Sequence, residues 1–216
     1  MPFPGCARKP CKTMNRLDFR KELKQLYYPS ATRASGIDVP EMNFLMLDGR
    51  GKPCVSRSFR DGIGTLLELS STIRRLVCRG PLQLDYAPMP LEELWGTNSL
   101  ATFSLENRAG WEWTIMIMQP DFVNHATVEE ARNRLQKERS LPALEAVRFE
   151  ALSEGHCAQI MHLGMDAEER QTIERLYRFI AACGCKPHGR HHKIHLCDIR
   201  KTDPSKWKTV LRQPMQ

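Results

Sequence analysis

The stretch His188-Gly-Arg-His-His-Lys-Ile-His-Leu-Cys-Asp-Ile-Arg-Lys201 decides how the rest of the chain is read. Between His191 and Asp198 its character alternates, with Ile194 and Leu196 on one side and Lys193, His195 and Cys197 on the other. Side chains on a strand point to opposite faces with period two, so the pattern predicts a half-buried strand. Its second face puts His191, Lys193, His195 and Cys197 in one row. A surface strand carries such a row in water; a strand lining a cavity turns it toward a ligand. The residues alone leave both settings open.

Working outward from this strand, Gly184 closes a helix whose apolar positions are Ile173, Leu176, Tyr177, Phe179 and Ile180. Asp166-Ala-Glu-Glu169 has the spacing of an N-terminal capping box for it. On the other side, Asp203-Pro204 predicts a short last helix to Leu211, because proline is tolerated at a first helical position. Upstream, Val147 to Leu163 predicts one or two strands turning at Gly155, and Thr127-Val-Glu-Glu130 opens a polar helix to about Arg139. Phe59, Ile63, Leu66, Leu67, Ile73, Leu76 and Val77 recur at helical spacing over residues 58–79. Strands are predicted at 42–49, 82–86 and 111–118, and a short amphipathic helix at 17–28.

Strand–helix–strand–strand thus occurs around residues 42–118, and a related run around 147–198. The order implies an α+β fold of two similar halves, an antiparallel sheet with helices on one face and a concave cavity on the other. Residues 1–16, rich in Pro, Lys and Cys, read as a loose basic extension before a single domain at 17–216.

With 216 residues, 41% hydrophobic and 26% charged, the chain suits a globular domain. It has no apolar run of membrane-spanning length and no apolar leader segment, so a cytoplasmic protein is expected. The eight scattered cysteines are then expected to be reduced. The net charge of +7 is carried by the ends. Residues 1–33 and 186–216 each hold eight Lys/Arg against two acids, whereas the middle holds 16 against 21. Solvated terminal segments account for such basic ends, and nucleic acid is not expected as a partner.

Cys183-Gly-Cys185 and the histidines after it have the ligand types of a zinc site. The C-x-C spacing lacks the C-x-x-C knuckle, so neither a metal nor another cofactor is expected. Cys197 with His195 or His191 has the composition of a thiolate–imidazole pair, but nothing nearby supplies a third, orienting group.

The longer string G-R-H-H-K-I-H-L-C-D-I-R-K-T-D-P-S-K-W-K-T-V-L-R-Q-P, residues 189–214, resembles the C-terminal signature of GyrI-like small-molecule-binding proteins. That signature reads roughly G-x-H-H-E-I-Y-L-S-D-P-R-R-T-x-P-E-K-x-K-T-x-L-R-Q-P. The resemblance is strongest to the stand-alone branch that includes the cyclopropanoid cyclopropyl hydrolases. Similar strings occur in order at residues 19–30, 43–51, 89–95, 111–123 and 152–164. The resemblance implies an aromatic-lined cavity for flat or hydrophobic molecules, with a glutamate on its floor. In the hydrolase branch that glutamate helps water to open a strained cyclopropane in DNA-alkylating compounds.

The departures fall at the implied cavity. Lys193 stands where the family has glutamate, His195 where it has tyrosine, and Gly96 where a second tryptophan is common. Lys193 beside His195 favours an anionic ligand, and a desolvated lysine can also act as base or nucleophile. Internal pairing of Lys193 with Asp166 or Glu112 is the alternative. The candidate ligand-binding or catalytic residues are therefore Lys193, His195, Trp95 and Asp166, with His191, Cys197, Trp113 and Tyr86 behind them. Trp111 and Trp113 share one strand face and Met116 and Met118 the other; which lines the cavity is open. The leading reading is a small-molecule-binding protein. Its alternative is an enzyme in the same cavity, either a hydrolase of cyclopropane-bearing compounds or a diverged acid–base catalyst of a natural-product pathway.

Overall fold

The computed structural model describes residues 16–51, 56–96, 112–165 and 168–216. Among them, eight strands form one antiparallel sheet: β1 Ser35–Val39, β2 Met42–Arg50, β3 Leu91–Gly96, β4 Glu112–Gln119, β5 Arg148–Leu152, β6 Gly155–Leu163, β7 His191–His195 and β8 Lys208–Pro214. Their order across the sheet is β1-β6-β8-β7-β3-β4-β2-β5. The two halves are visible in that order. One is β2, helix α3 (Arg57–Arg79), β3 and β4; the other is β6, helix α5 (Glu169–Ala182), β7 and β8. Each half pairs its first strand with its last, and the halves join along β3 and β7. The strand before each half crosses over, β1 to β6 and β5 to β2. The fold is thus α+β, as expected.

The helices follow from their apolar stripes. Ser56 caps α3 by accepting a hydrogen bond from the Phe59 amide (3.1 Å), and Phe59, Ile63, Leu66, Leu69, Ile73 and Val77 are buried along it. Gly62 lets α3 approach the sheet, since a Cβ there would lie 2.6 Å from Leu47 and 2.9 Å from Ile115. Helix α5 buries Ile173, Leu176 and Ile180 against Ala158, Ile160, Leu211 and Met215. Gly184, at φ +73°, ends it in the left-handed region that favours glycine. Helix α4 (His125–Glu138) packs on α3.

Several local expectations are corrected. Residues 208–214 are strand, not helix, because Thr209-Val210-Leu211-Arg212 completes the hydrogen bonding of both β6 and β7; only Pro204–Lys206 forms a 3-10 turn. Leu82–Tyr86 contributes one isolated bridge, Leu17 to Tyr86, with Gln83 at φ 50° breaking the extended run. The strand of this region is β3 instead. The amphipathic segment near the start is two single turns, α1 Phe19–Glu22 and α2 Lys24–Tyr27, interrupted at Leu23. Asn124, three residues before the predicted position, caps α4. Strand β1 escaped notice altogether. Cys78 is disulfide-bonded rather than reduced, while Cys157, Cys183, Cys185 and Cys197 are free. Among the described residues no helix is long and apolar enough to cross a membrane.

One packing prediction follows. Gly49 faces Trp113 across β2 and β4, and a Cβ on it would fall inside the indole ring. Trp113 is 1% exposed and braced edge-on by Phe59 at 5.0 Å, so it has nowhere to move. Gly49→Ala is expected to lower stability by roughly 1–3 kcal/mol. The readout is a lower urea midpoint with an unchanged slope; a midpoint within error of wild type would refute this packing account.

Candidate functional site

The seam between the halves carries the site. Across it Glu93 faces Lys193, Trp95 faces His191 and Leu91 faces His195. Since alternate residues share a face, His191, Lys193 and His195 lie on one side of β7 with Glu93 and Trp95 beside them. Leu211, the neighbour of Lys193 on β8, packs under α5, so this face is the one α5 covers. The row is buried: Lys193 is 5% exposed and His195 3%.

Two side-chain pairs organise it. Lys193 Nζ donates to Glu169 Oε2 at 2.9 Å and stands 5.4 Å from the centre of the Trp95 ring. Glu169 is the first residue of α5, where a carboxylate also suits the positive end of the helix. His195 Nε2 lies 2.8 Å from Glu93 Oε1. A carboxylate only accepts, so Nε2 carries the proton and donates it. In the neutral ring that leaves Nδ1 as the basic atom. Among the described residues neither His195 Nδ1 nor Glu93 Oε2 has a hydrogen-bond partner. His191 is also buried. Burial, and then the charge of Lys193, push its pKa down to about 4, so it is neutral near pH 7.

His195 also borders a cleft of about 220 Å³. Ile63 and Leu67 of α3, the Pro88-Met89-Pro90-Leu91 segment, Leu196 and Ile199 make its walls apolar. Cys197, Asp198, Arg20 and Arg200 complete the lining, and each arginine is paired with an aspartate (Arg20 with Asp18, Arg200 with Asp198). A polar, charge-backed imidazole at an apolar cleft is the usual make-up of a small-molecule site.

Of the residues singled out from sequence, the structure brings Lys193, Trp95, His191 and His195 together at the seam and Cys197 with His195 at the cleft. Trp113 lies in the core beside Phe59, and Tyr86 in an aromatic cluster with Phe19 and Phe122. Asp166 lies outside the described residues. Glu93 and Glu169 were missed. The signal for Glu93 was two acids inside the apolar run Met89-Pro-Leu-Glu-Glu-Leu-Trp95, which a buried strand tolerates only with partners.

The opposite face of the seam holds a second buried cluster. His192 Nε2 is 2.9 Å from Glu92 Oε2, and its Nδ1 is 3.0 Å from both Glu154 oxygens. Arg212 donates to Glu154 Oε2 (3.0 Å) and to the Leu26 carbonyl (2.8 Å), and Tyr27 Oη donates to Glu92 Oε1 (3.2 Å). This cluster ties the α2 turn to the sheet. Among the described residues no group of three or more His, Cys, Asp or Glu is arranged to hold a metal ion.

The fold and site define a class: a twofold-repeated α+β sheet with a buried acid–imidazole pair at an apolar cleft. No protein-family profile matches the sequence, and no curated protein does. Solved structures do. An uncharacterized conserved protein of Listeria innocua is 33% identical, over 93% of this chain and 100% of that one, with a TM-score of 0.85. A hydrolase of Listeria innocua is 33% identical over the same shares, with a TM-score of 0.82. The chain belongs to the family of these Listeria proteins. The C-terminal domain of EcmrR, 10% identical over 85% of this chain and 97% of its own, has a TM-score of 0.51 and shares the fold alone.

Proposed function

We propose that this chain is a hydrolase of small electrophilic molecules, of GyrI-like type, and that it opens the strained ring of cyclopropane-bearing DNA-alkylating compounds inside the cell. The observation that carries this reading is the buried Glu93–His195 pair beside the apolar cleft. From sequence, Lys193 in place of the family's glutamate favoured mere binding. Glu93, directly across the seam from Lys193, supplies a buried carboxylate on the same face and removes that objection. The hydrolase among its relatives, 33% identical, supports the same class of reaction.

The chemistry is general-base hydrolysis. His195 takes a proton from water as the water oxygen bonds to the ring carbon, while Glu93 orients the imidazole and stabilises its charged form. The strained C–C bond breaks, its electron pair passes to a conjugated carbonyl oxygen, and the imidazolium returns a proton there. The sum is addition of one water. A cleft of about 220 Å³ is below the roughly 300–1,000 Å³ of drug-sized sites, so it admits the reactive ring and leaves the rest of a larger compound at the rim. Lys193, neutralised by Glu169, is the neighbour that fixes Trp95 and the start of α5.

The test is incubation of the purified protein with a cyclopropane-bearing alkylator, followed by mass spectrometry. A ring-opened product heavier by one water, formed with turnover, is expected. Compound retained stoichiometrically without conversion would replace this reading with simple binding.

A further inference from the structure

We propose that Arg20 and Arg200 together clamp one oxygen of the compound held in this cleft. Its ligands are then uncharged conjugated ketones and the phenolates into which ring opening converts them. The inference rests on the cleft being the ligand site of the proposed hydrolysis, and it names the oxygen the cleft recognises and the groups that meet it.

Two matching Asp-x-Arg segments border the cleft from different parts of the chain. Asp18-Phe19-Arg20 opens α1, and Asp198-Ile199-Arg200 lies in the turn after β7. In the first, Arg20 Nε donates to Asp18 Oδ1 (3.1 Å) and Nη2 to Oδ2 (3.4 Å). In the second, the two corresponding bonds are both 2.9 Å. A fork of this kind fixes the plane of the guanidinium. Each arginine bond also holds its aspartate carboxyl below the usual range, so both forks persist at neutral pH.

The forks engage Nε and Nη2 and leave Nη1. Among the described residues no protein group accepts from Nη1 of either arginine. Arg20 lines the cleft and Asp18 does not, so on that wall the cation faces the ligand with its counter-charge behind it. On the other wall Asp198 also serves Lys201, whose Nζ is 3.7 Å away, so one carboxylate is shared between two cations. Both walls thus present fixed donors backed by positive charge.

Ring opening needs such donors. As the water oxygen bonds to the ring carbon and the strained C–C bond breaks, the electron pair settles on the conjugated oxygen. The apolar walls, among them Ile63, Leu67, Met89 and Ile199, offer nothing to solvate it. Donors already in place where charge develops require no reorganisation at the moment of reaction. The arginines give up no proton, since guanidinium does not deprotonate in proteins. The proton that completes the phenol comes from the His195 imidazolium, so the sum remains addition of one water.

The test uses para-nitrophenol, a small phenol that turns yellow on ionisation, with the full chain in excess. Bound dye is expected to ionise about one pH unit below free dye, the effect of a nearby cation on an acid. Arg20→Gln combined with Arg200→Gln should remove that shift, whereas Asp198→Asn should enlarge it by freeing Arg200 from its counter-charge. Arginines that act only as partners of their aspartates predict the same result from both changes. The side chains of Arg20 and Arg200 are 29% and 47% exposed, and ion pairs this exposed add little to stability, so the double variant is expected to fold. No bound dye, an unshifted ionisation, or a shift that survives in the double variant overturns the inference. With a cyclopropane-bearing alkylator the double variant should lose roughly tenfold or more in kcat. The two readings separate. Turnover unchanged in the double variant, with no dye shift in wild type, sinks the clamp and leaves hydrolysis standing; a dye shift without turnover does the reverse.

Discussion

Glu93→Gln is expected to slow ring opening by roughly 10²–10⁴-fold, the range that a positioned acid–base pair contributes. Glutamine preserves the shape of the side chain and keeps an oxygen to accept from His195 Nε2. What it removes is the negative charge that stabilises the imidazolium as the proton leaves water. The loss should therefore fall on kcat, with KM nearly unchanged, because Glu93 is 1% exposed and does not line the cleft. His195→Gln should cost a comparable factor, and the double variant little more, since the two groups act as one unit. Stability serves as the control. A variant that melts like wild type and has lost turnover separates chemistry from packing. Full activity in Glu93→Gln would remove the pair from the mechanism.

The fold was legible in the sequence wherever periodicity was strong. The stripe from Phe59 to Val77 marks α3, and the alternation after His191 marks β7, although that strand ends at His195 and is buried on both faces instead of one. Elements whose burial depends on distant partners were not. Strand β8 reads as a capped helix because Asp203-Pro204 is a sound helix start. It is strand because its two neighbours, β6 and β7, would otherwise keep unpaired backbone groups in the middle of the sheet. Strand β3 is wholly buried yet contains two glutamates, so neither alternation nor an apolar run marks it.

The site divides along the same line. That Lys193 and His195 share one strand face was readable from their row; that this face turns inward was not, since a surface strand carries the same row in water. Nor were their partners, because Glu93 lies 102 positions from His195 and Glu169 24 from Lys193. Of the two internal partners that sequence offered for Lys193, Glu112 is taken by Arg50 at 3.1 Å, and Asp166 lies outside the described residues. Two neighbouring acids on one strand and two histidines three residues apart on the facing strand are the pattern that could have disclosed both clusters. Register sends Glu93 and His195 to one face and Glu92 and His192 to the other, and each face needs its own charge balance.

The second of these clusters yields the largest expected effect on stability. His192→Leu should destabilise the protein by about 3–5 kcal/mol, because it strands Glu92 and Glu154 in the interior with Arg212 as their remaining strong cation. Burial alone would push the His192 pKa down, but Glu154 and Glu92 together hold it above its ordinary 6.5. Its contribution is therefore complete below about pH 6.5 and fades as pH rises through the folded-state value. For Glu154, burial pulls upward, yet His192 and Arg212 bring its pKa down to about 2 from 4.5. That contribution is complete above 4.5 and fades as pH falls toward 2. Wild type should thus draw most from this cluster between about pH 4.5 and 6.5. The variant behaves oppositely at the acid end, since carboxylates without His192 gain stability by taking up protons. Urea midpoints measured at pH 4, 6 and 8 should show the gap between the two proteins widest at pH 6 and narrowed at pH 4. A gap independent of pH would mean that His192 acts by filling space and not by its charge. Because Arg212 and Tyr27 also hold the α2 turn, hydrogen exchange at residues 24–28 should quicken in the variant before the rest of the sheet opens.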